Sequence, residues 1–463
     1  MKTRDVIILG GGPAGITFAR NYRKLRPGAE MAMFRPEHRS MVYCAIPYCI
    51  EGELDMEKLF KKDELVTGIG VELIRRSAVS VDFEKKTVTD ETGERHGYRT
   101  LFICTGAVPV RPRMPGADAP NVFTVKTGRD TSEIIAKIAG GARRAVVVGA
   151  GAIGIEQAQA YRKKGIETWL VEAGPNVLPN MVDADMAGPP QKELESLGVK
   201  VLTDTRVESL FASAAGVDEV FLSGGDSVKL DPVRDFVCFA VGMVPDTALF
   251  LDSKLAMDRD GVIVDQAMRT NIPGVLAAGD CCSFKSAIDG APIGGKLATA
   301  AVPMAKVAAR TAAGLKDSFP GFYNGAATCV GRWRVGATGF TAAAAVKRGL
   351  EVVTGHGEAT TTFPIMAEAG PLKVKIVAER STLRVVGGQV LSDGFPATDK
   401  TDILTLAIQR RMTLKGLSRL AYSAQPLQSF FPAANAIVLA CENALDALSG
   451  AGAADQEKIP ECV

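Results

Sequence analysis

The sequence predicts an α/β protein built on two dinucleotide-binding folds. Two observations carry that reading: one strand, glycine-turn and helix pattern occurs twice, and the chain has the bulk and composition to bury several cores. It has 463 residues, 47% hydrophobic and 23% charged, which at ~150 residues per domain gives about three domains. A disordered chain would need low hydrophobicity and high net charge. Lys plus Arg number 54 against 52 Asp plus Glu, a formal charge of +2. That balance supplies no general field to gather nucleic acid or an anionic membrane, and neither partner is expected.

The N-terminus opens with the apolar run Val6 to Leu9, too short for a signal-peptide core, and runs straight into glycines. No stretch approaches the ~20 apolar residues of a membrane span. Nine cysteines, an odd number in a long chain, fit reduced thiols better than a disulfide framework. The expectation is a cytoplasmic protein. His38, His96 and His356 are too few and too scattered to form a zinc site with these cysteines, so no metal is expected.

Taken in order, the first element is a strand at Val6-Ile7-Ile8-Leu9, followed by Gly10, Gly12 and Gly15 with Pro13 and Ala14 between them. Glycine permits the tight turn and the close approach of backbone N–H groups to a pyrophosphate at the helix N-terminus that follows. The second copy is Ala145 to Val148, then Gly149, Gly151 and Gly154, then a strand Thr168 to Val171 ending in Glu172, 18 residues past Gly154. A carboxylate at that distance suits an adenosine ribose and would repel a 2′-phosphate, favouring NADH over NADPH unless a nearby Arg or Lys reverses it. In the first copy Met31 to Phe34 is followed by Arg35 where an acid is expected, so either Glu37 takes over the ribose or Arg35 contacts it. Two further strands end in glycine turns, at Leu101 to Thr105-Gly106 and at Val275 to Gly279-Asp280, the second delivering a carboxylate able to accept hydrogen bonds from a polyol.

The order GGGPAG, TGAVP, GAGAIG, VGMVP and LAAGD resembles the FAD- and NAD(P)H-dependent pyridine nucleotide-disulfide oxidoreductases. The resemblance implies two Rossmann-like domains and a C-terminal α+β dimerisation domain: residues 1–112 and 243–320 for FAD, 113–242 for NADH or NADPH, 321–446 for a homodimer interface, and a flexible tail at 447–463. The segment Ser40-Met41-Val42-Tyr43-Cys44-Ala45-Ile46-Pro47-Tyr48 is similar to that of the single-cysteine branch, which holds CoA-disulfide reductases, persulfide reductases and NADH oxidases or peroxidases. Ser40, Gly242, Ile153 and Ala298 join the implied cofactor contacts, and Tyr48 the substrate contacts.

The resemblance makes Cys44 the redox sulfur, because a thiolate is the reactive form and a reduced flavin can pass electrons to a sulfur bonded to it. Cys49 makes a C-x4-C pair with it, so an internal disulfide remains one option and a packed, inert Cys49 the other. Glu156 matches a glutamate at the flavin–nicotinamide junction and Tyr422 a tyrosine brought in by the partner subunit; read alone, they are a helix acid and a core tyrosine. Arg20, Arg23 and Lys24 share a helical face, where the resemblance implies CoA phosphates and composition alone implies a solvated face. Tyr43 replaces the small polar residue usual before the cysteine. The first glycine loop also lacks the histidine of the oxidases and peroxidases, which favours sulfur as acceptor. The expected activity is NAD(P)H-dependent reduction of a disulfide, persulfide or polysulfide, CoA-linked or not. The alternatives are an NADH oxidase or peroxidase, and an electron-transfer or redox-sensing flavoprotein acting on a protein partner.

Overall fold

The computed structural model describes residues 1–449, which form two compact units. The first comprises Met1–Ala173 and Gly198–Phe322, the second Gly174–Leu197 and the chain from Tyr323 onward.

In the first unit, Val71–Ile74, Met31–Phe34, Thr3–Leu9 and Arg95–Ile103 run parallel in that order. Ile7 stands level with Ala32 on one side and Leu101 on the other. Arg95–Ile103 divides its outer edge, pairing its first part antiparallel with Thr87–Asp90 and its last part parallel with Val275–Ala277. Val6, Ile7, Ile8 and Leu9 are all buried, as expected where a parallel strand is covered on both faces. Helix α1 (Pro13–Leu25) buries Ala14, Gly15, Phe18, Ala19 and Tyr22 along one stripe and stacks Phe18 on Phe102 at 4.1 Å between ring centroids. The strand order reverses at Thr3–Leu9, which opens a crevice beyond the carboxyl ends. The short helix α2 (Ile46–Glu51) follows that sheet's second strand.

A second parallel sheet in the same unit has the order Val199–Leu202, Glu167–Val171, Arg144–Val148, Phe236–Phe239, Val122–Thr124. Helix α3 (Gly128–Ala139) starts in a capping box of Thr127 and Asp130. Helix α4 (Ala152–Lys163) follows the second glycine turn. Ala107–Pro109 and Met243–Pro245 pair where the chain leaves the first sheet and returns to it.

The second unit is a five-stranded antiparallel sheet in the order Ala326–Val330, Trp333–Gly339, Val385–Asp393, Pro371–Glu379, Val352–Thr360. The helix Ala436–Ser449 lies on Val352–Thr360, close enough that a Cβ at Gly355 or Gly357 would meet the carbonyls of Ala440 or Ala436. Residues 174–197, read from sequence as part of the NAD(P)H-binding stretch, pack with this unit. The reason is polar and specific. The Asp183 carboxylate accepts from the amides of Ala342 and Ala343 at 3.0 and 3.1 Å and from Gln389 Nε2 at 2.6 Å. Lys375 lies 3.0 Å from Asp183 and 2.8 Å from Asp185, which also meets His356 Nε2 at 2.8 Å. The expected tail begins inside the helix Ala436–Ser449, and residues 450–463, with Cys462, lie outside the described residues. Among the described residues no helix is long and apolar enough to cross a membrane.

Candidate functional site

The crevice at the end of Thr3–Leu9 is shaped by glycines. Gly10 has φ +121°, and a Cβ there would strike the Cys104 carbonyl. A Cβ on Gly15 would run into the Gly10 carbonyl oxygen, so α1 can start only this close to the strand because Gly15 has none. Gly12 is the N-cap and Pro13 the first helical residue, so the first N–H groups of α1 have no acceptor within the helix. The Gly279–Asp280 step arrives from Val275–Ala277 against the same helix start: a Cβ on Gly279, φ +85°, would lie 3.3 Å from Ala14 Cβ. Thr105 donates to the Asp246 carbonyl at 2.5 Å, and the Gly106 carbonyl accepts from Asp246 N at 2.9 Å. These residues therefore converge on one crevice. Ala298 heads the helix Ala298–Ala312, and Gly242, φ +110°, accepts from Val110 N at 2.9 Å.

Among the buried polar atoms of this unit that have no hydrogen-bond partner are Asp280 Oδ1, Ser40 Oγ and Arg39 Nε. A buried acceptor left unpaired is costly. Burial pushes the Asp280 carboxyl above the ordinary range, against the pull of the Lys126 and Lys296 ammoniums. A glycine turn, the free N–H groups of a helix start and a buried carboxylate with one unpartnered oxygen are what a pyrophosphate joined to a polyol would satisfy, so the residues fit FAD.

Arg35 is buried and already engaged. It donates to the carbonyls of Glu37 at 3.1 Å and His38 at 2.9 Å, and to Asp63 Oδ1 at 2.7 Å. Its side-chain stem lies where a Cβ on Gly11 would go. Arg35 thus supports the glycine turn and holds the 37–38 turn, whose Glu37 is exposed.

Cys44 is exposed in the turn Tyr43–Ala45 that leads into α2. Cys49 is a free, buried thiol 3.9 Å from Met56 Sδ, pushed above its ordinary value by burial and then by Asp55. Tyr48, half-buried in α2, accepts through its carbonyl from Glu53 and Leu54. The Tyr43 ring lies under the Lys126 ammonium at 4.3 Å, and burial, with Glu37 and Asp280, raises its hydroxyl above the usual tyrosine value. The segment is held by a short antiparallel ladder: Met41 bridges Phe60, Val42 N donates to Leu59 O at 2.8 Å, and Lys61 N to Ser40 O at 2.7 Å. Lys61, Lys126 and Lys296, which the sequence reading missed, carry no local signal, because each reaches the site through partners far along the chain.

The second turn repeats the first. Gly149 has φ +100°, Gly151 caps α4, and a Cβ on Gly154 would overlap the Gly149 carbonyl oxygen. The Glu172 carboxylate accepts from Ala150 N at 2.7 Å, so it braces the loop at the position expected to face a ribose. Ile153 is 41% exposed on the first turn of α4, and Glu156 is half-buried one turn on.

The remaining expected residues lie elsewhere. Arg23 donates to four carbonyls, Pro27, Ile69, Ala29 and Gly70, while Arg20 and Lys24 are exposed on α1. Tyr422 is in the second unit, 42% exposed, donating to Pro432 O at 2.5 Å. Among the described residues the one His and carboxylate group with metal-like proximity, Asp90, Glu94 and His96, holds Arg76 at 2.6 and 2.9 Å from its carboxylates.

With this geometry in view, the sequence matches the family described as Pyridine nucleotide-disulphide oxidoreductase over residues 4–309, and its dimerisation domain over 326–433. An NADH oxidase of Methanocaldococcus jannaschii is 30% identical over 455 residues, 96% of this chain and 99% of that protein. An NAD(P)H coenzyme A polysulfide/persulfide reductase of Pyrococcus horikoshii is 27% identical over 417 residues, 87% of this chain and 91% of the other. Among solved structures, an NAD-dependent persulfide reductase from A. fulgidus superposes with a TM-score of 0.90 at 26% identity, covering 96% of this chain and 84% of that one.

Proposed function

The chain belongs to the pyridine nucleotide-disulphide oxidoreductase family, and from that premise we propose that it reduces a sulfur–sulfur bond of a disulfide, persulfide or polysulfide through Cys44. It is an FAD- and NAD(P)H-dependent oxidoreductase. Bound in the first crevice, FAD supplies a two-electron relay from nicotinamide to sulfur.

The observation that carries the reading is Cys44: a free, exposed thiol at the turn whose neighbour Tyr43 packs under Lys126, itself drawn to Asp280 of the cofactor crevice. In the acceptor half, the Cys44 thiolate attacks one sulfur of the substrate, a bond forms to Cys44, and the other sulfur departs with the bonding pair. In this reading Asp280 and the Gly10–Gly15 turn orient FAD, Gly149–Gly154 and Glu172 orient the nicotinamide dinucleotide, and Glu156 serves at their junction. The reading includes a second copy of the chain joined through the region matching the dimerisation domain, with Tyr422 offering its hydroxyl to the departing sulfur. It includes a reducing cytoplasmic setting, supported by the free state of the eight described cysteines. The phosphate-binding role for Arg23 has little support, because its donors are engaged by carbonyls. Arg20, Lys24 and Tyr48 remain the substrate contacts to vary.

The test is anaerobic turnover of NADH with CoA disulfide, CoA persulfide, polysulfide, small disulfides, oxygen and peroxide in parallel. Turnover with a sulfur acceptor that Cys44→Ser reduces about 10³-fold or more is the expected result. The oxidase reading has the M. jannaschii relative in its favour. Rapid NADH consumption with oxygen and none with sulfur acceptors would replace the reductase reading with it.

A further inference from the structure

Helix α2 has only six residues, and its N-cap, Ala45, supplies no side-chain hydrogen bond. A helix of that length is marginal by itself, so its seat is decided by what grips its ends. At the first end, the pairing of Ser40–Val42 with Leu59–Lys61 fixes the chain that enters the Cys44 turn. At the other, Gly52 closes the helix with φ +87°, and the grip comes from α4, on which α2 packs. Lys163, the last residue of α4, places its ammonium 2.9 Å from the Glu51 carboxylate and 3.0 Å from that of Glu53. The ammonium of Lys164 stands 2.8 Å from where a Cβ on Gly52 would go. The Glu51 side chain is 6% exposed and its second oxygen is buried with no hydrogen-bond partner, so burial raises its carboxyl against the pull of Lys163. A leucine there would cover the joint without desolvating a charge. Buried ion pairs contribute little stability, and their best-attested use is to fix register.

We propose that Lys163 is a positioning residue: by holding Glu51 and Glu53 it sets the seat of α2 on α4, and with it the place of the Cys44 sulfur relative to the dinucleotide sites. The proposal rests on the reading of Cys44 as the nucleophile. The chain supports it at both ends of the two helices. Helix α2 follows directly from the Cys44 turn and α4 from Gly151 of the second glycine turn, and the ion pairs of Lys163 join them at their far ends. A split between half-reactions follows. Binding of NADH and reduction of the flavin use the two glycine turns and α4, whereas attack on a sulfur acceptor needs the thiol in place, where a shift of about 1 Å can cost about 100-fold.

The seat of α2 is readable without turnover. In the FAD-loaded protein, amide hydrogen exchange followed by mass spectrometry should be about tenfold faster at residues 44–54 in Lys163→Met, little changed at 152–160, and restored in Lys163→Arg. Stopped-flow absorbance of the flavin then separates the halves: in Lys163→Met its reduction by NADH should stay within about twofold, while its reoxidation by tetrasulfide slows about tenfold or more. Glu51→Gln should act in the same direction, and the double variant should be no slower than Lys163→Met alone, as for residues acting through one contact. Equal slowing of both halves would mark Lys163 as a general structural support, and an unchanged tetrasulfide step would show that the thiol is seated without it; either result overturns the proposal. Faster exchange at 44–54 in a protein that reduces no sulfur acceptor, even unsubstituted, would instead strike the reductase reading and leave the seating of α2 by Lys163 standing.

Discussion

At the scale of single residues, the site is defined by groups whose bonding is incomplete within the unit that holds them. Asp280 is buried with one oxygen unpartnered, and its carboxyl is pushed upward by that burial. An oxygen in that state has most to gain from a hydroxyl donor, and a hydrogen bond to a charged group contributes roughly 1.5–3 kcal/mol. Asp280→Ala should therefore weaken FAD retention by about tenfold or more, measured as flavin released on dilution and read by fluorescence; unchanged retention would remove Asp280 from the site. Arg35 and Arg23 are the converse, since their donors are already spent on carbonyls. Neither fact was legible in the sequence. An arginine in a sequence motif reads the same whether its guanidinium awaits a phosphate or closes a turn, and only the partner carbonyls decide.

At the scale of elements, the two glycine turns were the most legible part of the fold, because strand, turn and helix are contiguous and each glycine answers a local steric demand. Gly154 illustrates the demand: α4 can begin beneath its strand only if nothing projects from that position toward the Gly149 carbonyl. Gly154→Val should displace the start of α4 and raise the KM for NADH about tenfold or more, with FAD content and reduction of the flavin by dithionite retained. Loss of FAD together with NADH response would instead point to collapse of the whole unit. The same steric logic at Gly357 joins the helix Ala436–Ser449 to its sheet, and Gly357→Val is expected to lower the melting temperature by several degrees, for about 2–3 kcal/mol of overpacking. The helix Ala184–Ser196 was not legible in this way. Its apolar spacing would serve against either sheet, and the choice is made by Asp183 and Asp185 meeting Lys375, His356 and Gln389.

At the scale of the whole molecule, that polar cluster sets a pH limit. Burial opposes ionisation of Asp183, but the Ala342 amide, Gln389, the Ala343 amide and Lys375 outweigh it and hold its carboxyl below the usual aspartate range. For Asp185, burial is likewise outweighed by Lys375 and then His356. Both carboxylates bind protons more weakly in the folded chain than in the unfolded one, so their stabilisation is present above about pH 4 and is lost as pH falls through the folded values. Chemical denaturation followed from pH 7 down to pH 3 should show this loss. Lys375→Met, which removes the buried cation that the two carboxylates share, should cost about 3 kcal/mol at pH 7 and correspondingly less in acid; a cost independent of pH would contradict the assignment. The route of the chain gives this cluster a wider meaning. Because it leaves the nucleotide-binding unit after Ala173 and returns at Gly198, a fragment ending at Phe322 would keep Ala184–Ser196 but lose the sheet that covers it. The two units are thus not interchangeable cassettes: a gene fusion or swap at residue 322 would sever a helix from its support, and grafting between relatives has to move residues 174–197 together with the C-terminal sheet.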